Sequence, residues 1–194
     1  DGYINDSAVT VSLSPVYQSM IEVAEEALRV GIAEVAHGVR FSHVGEQIQK
    51  VIAQYGCRPI RNLTGHKVER YTIHAGKSVP NVAGPAPGRF EVGEIYAIEP
   101  FVTVKDAAGR VEDSERAFIY RVVRDKGARS EAAKKIVDHV RRRYKTLPFA
   151  SRWLYSTLGK DHVDNGFPEA VKARCISGYP VLIEASGKVV TQAE

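Results

Sequence analysis

NLTGHKVERYTIHAGKSVP, residues 62–80, places two of the chain's six histidines, His66 and His74, within nine residues and brackets them with Gly65, Gly76 and Pro80. The stretch reads as strand pieces joined by turns, because β-branched and aromatic residues are punctuated by glycine and proline. If KVERYTI were one straight strand, the two imidazoles would stand roughly 26 Å apart at about 3.3 Å per residue. Either the segment folds back on itself and both histidines serve one site, or only one of them does chemistry.

Working outward, YINDSAVTVSL at the start alternates apolar and polar residues and predicts a strand with one buried face. After Ser14-Pro15, the spacing of Ile21, Ala24, Leu28 and Ile32 predicts a long amphipathic helix ending near His37-Gly38. Ser42 reads as the N-cap of a second helix, closed by Gly56. GPAPGRF at 84–90 is a loop, and EVGEIYAIEPFVTV is a buried strand interrupted by Pro100, with Glu99 inside it. Further on, Ser130 caps EAAKKIVDHVRRRYK, ASRWLYSTLG and PEAVKARCIS follow as short helices, and YPVLIEAS with KVVTQAE reads as a hairpin around Gly187. Three short helices and a hairpin set among strands suggest a helical subdomain of winged-helix type.

At 194 residues, 44% hydrophobic and 26% charged, the chain has the composition of one globular domain, or one domain with an insertion. Two cysteines, Cys57 and Cys175, are too few for a disulfide framework and fit a reducing compartment, so a cytoplasmic protein is expected. No apolar run approaches a membrane span, and DGYINDSAVT has neither the basic start nor the apolar stretch of a secretory signal. From Arg121 to Lys160, twelve Lys and Arg stand against three Asp and Glu, with RRRYK at 141–145. That run is either a solvated helix face or the place where a polyanion binds.

Divalent cations are held by carboxylate oxygen and imidazole nitrogen presented from rigid elements. Asp6, His66, Glu99 and Glu194 are candidates on strand-like segments. Each alone has a plain alternative: an edge charge for Asp6, a satisfied core or loop histidine for His66, a solvated terminal side chain for Glu194. Glu99 is harder to dismiss, because an unpaired carboxylate among Ile95, Ala97, Ile98 and Phe101 is costly and demands a cation or a strong donor.

NLTGH at 62–66, YTIHAGKSVPNV at 71–82, VGEIYAIEPF at 92–101 and YPVLIEASGKVVTQAE at 179–194 occur in that order. Together they resemble the successive signature blocks of type II methionine aminopeptidases, most of all the archaeal enzymes, and the resemblance covers nearly the whole chain. The eight-residue spacing from His66 to His74 is also similar to type II. The resemblance implies an α/β pita-bread fold in which residues 1–106 and 175–194 belong to the catalytic domain and 107–174 form a helical, winged-helix-like insertion. It implies two divalent cations, whether cobalt, manganese, iron or zinc, with Asp6, His66, Glu99 and Glu194 as ligands and Glu99 also handling protons. It further implies that His74 contacts the scissile amide, and that Ile73 and Tyr179 help form the pocket for a methionine side chain.

The activity so implied is removal of the initiator methionine from the N-terminal Met peptides of nascent chains by metal-activated water, in a cytoplasmic monomer. The basic run at 121–160 would bring the enzyme near the ribosome. Other readings within the same fold are a non-catalytic relative that binds RNA or ribosomes, and an Xaa-Pro dipeptidase. The family carries a further aspartate ligand and a catalytic histidine upstream of the position matched by Asp6, and a further strand after Glu194. The expectation is therefore an internal fragment, inactive as it stands.

Overall fold

The apolar periodicity after Pro15 folds as expected, into α1 (Gln18–Ala33), which follows a single 3-10 turn at Pro15–Tyr17 capped by Ser14. Its buried stripe is Met20, Ile21, Val23, Ala24, Ala27 and Gly31. The helix ends earlier than His37-Gly38, and Ile32 is exposed. The second helix, α2 (Phe41–Gln54), begins one residue before Ser42, with Arg40 at the cap position and no side-chain cap. Phe41 needs that extra turn, because its fully buried ring packs edge-on against Phe90 at 4.8 Å. The computed structural model describes all 194 residues, Asp1–Glu194.

The chain divides into two units. One comprises Tyr3–Glu112 and Ile183–Glu194 with Asp1; the other comprises Asp113–Leu182 with Gly2. In the first, α1 and α2 cover two small antiparallel sheets. One sheet has the order β1 (Cys57–Pro59), β5 (Phe101–Val104), β9 (Val190–Gln192). The other places β2 (Thr64–Val68) between β3 (Ser78–Pro80) and β4 (Ile95–Ala97). The core between helices and sheets contains Phe41, Val44, Ile48, Ile52, Val79 and Val102, all essentially inaccessible.

Three expectations change here. EVGEIYAIEPFVTV is not one strand: β4 and β5 join different sheets, and Ile98, Glu99 and Pro100 form the crossing between them. Proline has no N–H for a ladder and restricts the residue before it, so the break falls where Glu99 stands. The opening YINDSAVTVSL keeps its alternating exposure but is extended chain, not strand. Only one backbone bond ties it to the segment after β9, Glu194 N–H to the Ala8 carbonyl at 3.0 Å. At the next contact the Thr10 hydroxyl substitutes for main chain, accepting from Gln192 N–H and donating to Gln192 O, both at 2.8 Å. The hairpin around Gly187 is also absent: β8 (Ile176–Glu184) and β9 belong to separate sheets. Glu184 instead accepts from the amides of Gly109, Ser186 and Lys188 and from the Ser186 hydroxyl, which closes the turn locally.

The Asp113–Leu182 unit has its own core of Ala133, Ile136, Val140, Phe149, Leu154 and Ile176, among others. Its sheet has the order β7 (Phe149–Ala150), β6 (Val111–Val122), β8. Ser130 caps α3 (Glu131–Tyr144) by accepting from Ala133 N–H. Then come α4 (Arg152–Leu158) and α5 (Lys160–Lys172), separated only by Gly159 at φ 80°. The third helix starts well before Pro168, which lies inside it. Packing against α3 overrides that proline, and Gly166 makes the approach possible: a Cβ there would meet Ala132 and Ala133 backbone at 2.6–2.8 Å. Both cysteines are free thiols, and no helix is long and apolar enough to cross a membrane.

Burial alone would raise the Glu184 carboxyl, but its four donors outweigh burial and hold it at about 2, below its ordinary 4.5. A carboxyl lowered in the folded state contributes stability that is full above the unfolded value and is lost as pH falls through the folded one. Glu184→Gln is therefore expected to lower the urea midpoint at pH 6, and the gap from the unsubstituted protein should close as the pH falls from 4.5 towards 2. A gap independent of pH would show that the charge plays no part.

Candidate functional site

KVERYTI does bend. Glu69 and Thr72 exchange both backbone hydrogen bonds at 2.9 Å around a turn in which Tyr71 has φ 59°. Beyond the turn, Ala75 N–H donates to the Lys67 carbonyl at 2.8 Å and Lys67 N–H to the Lys77 carbonyl at 2.9 Å, so the chain returns alongside β2. The His74 ring thereby meets the His66 ring edge-on, with centroids 4.3 Å apart. The two imidazoles share one cleft of about 400 Å³, lined also by Asn62, Thr64, Gly76 and Ser78.

His66 is buried at the centre of its sheet, where β2 pairs it with Ser78 on one side and Ala97 on the other. Its Nε2 lies 3.2 Å from Glu99 Oε1 and 3.4 Å from Asp6 Oδ2. Glu194, the residue after Ala193 at the end of β9, receives Gln192 Nε2 on Oε2 at 3.2 Å. Thus Asp6, His66, Glu99 and Glu194 arrive from four separate segments of one unit at one place. His74 joins them through His66, and Ile73 beside it is half-buried. Tyr179 belongs to the other unit, where its ring lies under the Arg121 guanidinium at 5.8 Å and burial raises its phenol.

The cluster sets three carboxylates around one imidazole, and its proton affinities respond accordingly. Burial works against a charged His66, yet the facing Asp6 and Glu99 outweigh it and raise the ring to about 10. Burial raises Glu194 to about 8, with further repulsion from Glu99 and Asp6. Such a group of carboxylates is relieved either by a proton on one of them or by positive charge among them. Glu99 Oε1 and Glu194 Oε1 are moreover buried with no hydrogen bond of good geometry, although Glu99 Oε1 lies 3.2 Å from His66 Nε2. A divalent cation, taking carboxylate oxygen and, once the ring has lost its proton, imidazole nitrogen, fits both the charge and these oxygens.

Two supporting residues escaped the reading of the sequence. Asn81, 1% exposed, donates through Nδ2 to the Leu63 carbonyl at 3.0 Å and to the Glu99 carbonyl at 2.8 Å, joining the entry to β2 with the crossing that carries Glu99. A polar residue directly after Pro80, among apolar neighbours, was the available signal. Thr10 ties the Asp6 segment to the Glu194 segment through Gln192. Gly65, by contrast, stands in the quoted motif for a definite reason. A Cβ there would lie 2.3 Å from the Ala97 carbonyl oxygen. Gly65→Ala is expected to cost about 1–3 kcal/mol by forcing β2 away from β4. Urea unfolding measures the loss, and an unchanged midpoint would mean that the strands have room to part.

The chain matches the sequence model of metallopeptidase family M24 over residues 1–145. It is 40% identical to a methionine aminopeptidase of Pyrococcus horikoshii, 42% to one of Thermococcus kodakarensis and 39% to one of Methanocaldococcus jannaschii. Each alignment covers the whole of this chain but 64–65% of the relative, so the chain spans somewhat less than two thirds of their length. Among solved structures it is similar to a methionine aminopeptidase from Thermotoga maritima, with TM-score 0.52 and 30% identity over 59% of this chain and 46% of that one. A thermophilic Arx1 superposes with TM-score 0.66 at 20% identity, over 89% of this chain and 50% of that one, which shows the shared fold.

Proposed function

This chain belongs to metallopeptidase family M24, and from that membership we propose that it carries the metal site of a methionine aminopeptidase that removes the N-terminal methionine from nascent chains. The observation that carries the reading is the convergence of Asp6, Glu99 and Glu194 on the buried His66, with His74 against it. The curated relatives are methionine aminopeptidases, which favours this activity over an RNA-binding module or an Xaa-Pro dipeptidase. A cytoplasmic site of action fits the substrate.

Asp6, His66, Glu99 and Glu194 would hold two divalent cations. When bound, these ions supply Lewis-acid polarisation of the peptide carbonyl and acidify water. Glu99, whose Oε1 lies 3.2 Å from His66 Nε2, takes the proton from the attacking water and passes it to the leaving amine. His74, on the open side of the cleft, donates to the scissile amide and stabilises the developing negative oxygen. The carboxylates also offer a counter-charge to a free α-amino group, which would restrict cleavage to the first residue. Ile73, next to His74, is a proposed contact to the methionine side chain.

In the whole protein, release of Met from Met-Ala-Ser is expected with at least one of Mn(II), Fe(II), Co(II) and Zn(II), and chelation should abolish it. His66→Ala should lose metal. Glu99→Gln should lower kcat by about 10²–10⁴, and His74→Ala by about 10²–10³ with metal binding intact. No Met release with any of the four metals would sink the proposal.

The Asp113–Leu182 unit carries fifteen Lys and Arg against eight Asp and Glu. This surplus supports docking near ribosomal RNA. Several of its cations are engaged locally, Arg141 with Asp125 at 3.1 Å, Arg142 with Asp138 and Lys134 with Glu131 at 2.7 Å, which limits the number left for phosphates. Ribosome binding should weaken steeply as salt rises, and affinity unchanged between low and high salt would remove this part of the reading.

A further inference from the structure

The loop that carries His74 is tied at its base by a carboxylate outside the cluster, Glu94. Lys67 follows His66 within β2, paired with Tyr96 of β4, and by strand alternation points to the opposite face. Lys77 ends the returning limb, next to β3. Their ammonium groups converge on a single oxygen, Glu94 Oε1, at 3.1 and 2.6 Å. The other oxygen, Oε2, accepts from the Tyr96 hydroxyl at 2.7 Å and from Glu91 N–H at 3.1 Å. The Glu94 side chain is 11% exposed, whereas the lysines' second partners, Glu69 and Glu91, are 53% and 65% exposed and contribute little as surface pairs.

We propose that Glu94 is a positioning residue for His74: by holding Lys67 and Lys77 on one carboxylate oxygen it clamps the two limbs of the 68–77 loop together and so sets His74 against His66. The consequence for catalysis rests on the aminopeptidase reading above, but the clamp itself does not. Lys77 first, then the Tyr96 hydroxyl, hold the Glu94 carboxyl down at about 2, so the negative charge is present throughout the neutral range. Without that charge the loss is greater than one ion pair. Two ammonium groups that share an oxygen would then face each other across a partly buried space and repel, pushing the limbs apart. The backbone bonds from Ala75 to Lys67 and from Lys67 to Lys77 lie directly between those limbs and would open with them.

Glu94→Gln keeps the shape and an acceptor for Tyr96 while removing the charge. In the whole protein, hydrogen exchange should accelerate about tenfold or more in the 68–77 segment and remain unchanged in α1 and α2. kcat for Met-Ala-Ser should fall about tenfold, with KM and Mn(II) affinity within twofold. Adding Lys77→Met removes one of the two repelling cations, so the double variant should regain most of the protection and of kcat. The proposal is overturned if exchange of 68–77 does not change in Glu94→Gln, if exchange rises equally in α1 and α2, if kcat is unaffected by a loosened loop, or if Lys77→Met restores nothing. Should the unsubstituted protein release no Met, the activity reading fails, and the exchange measurements still decide whether Glu94 clamps the loop.

Discussion

Contact between β2 and β4 at Gly65 governs the site. There the Ala97 carbonyl oxygen occupies the space where any side chain would begin. Because the strands meet without that side chain, His66 on β2 and Glu99 just beyond β4 come within 3.2 Å. The other groups depend on this pair. Asn81 fixes the two backbones that bear it, through the carbonyls of Leu63 and Glu99. Asp6 and Glu194 are brought to it by a separate device, the Thr10 hydroxyl exchanging hydrogen bonds with Gln192.

Placing several carboxylates together in a half-buried space is unfavourable, and the surrounding structure shows how it is borne. The helices supply a core with no polar demands of its own: Phe41, Ile48 and Ile52 are fully buried. The charges of Lys67 and Lys77 are neutralised by Glu94, which is not one of the clustered carboxylates. Glu184 takes up the amides of a turn that has no strand partner. Within the cluster, burial and then the neighbouring carboxylates raise Glu194 to about 8, while Asp6 and Glu99 raise His66 to about 10, a crowding of carboxylates that a cation is suited to meet.

How far the fold could be read in advance differs from element to element. α1 and α3 were legible, since each has a 3.6-residue apolar stripe and α3 also has a serine cap. The first turn of α2 was misread at Ser42 because the decisive residue, Phe41, is fixed by its contact with Phe90 and not by capping chemistry. The start of α5 was hidden by Pro168, whose local preference against a helix interior yields to packing on α3. Strand partners were least legible. β4 and β5 look continuous, and β8 and β9 look like the arms of one hairpin, yet each pair divides between two sheets, because hydrogen-bond partners come from distant segments.

The chemistry of the site was written in residue types. An imidazole, three carboxylates, a second histidine and a glycine before the first histidine are all present in short motifs, and the resemblance of those motifs to a peptidase family pointed to their common use. The bend in KVERYTI was a geometric requirement as soon as both histidines were assigned to one site. Only the tertiary structure decided how close Asp6, His66, Glu99 and Glu194 come, that Asn81 and Thr10 support them, and that Glu94 draws two lysines onto one oxygen. The physical reason is that a sequence specifies local conformation and which side chains can bind, whereas distances between segments up to 188 positions apart are set by cores and sheets that exist only in the folded chain.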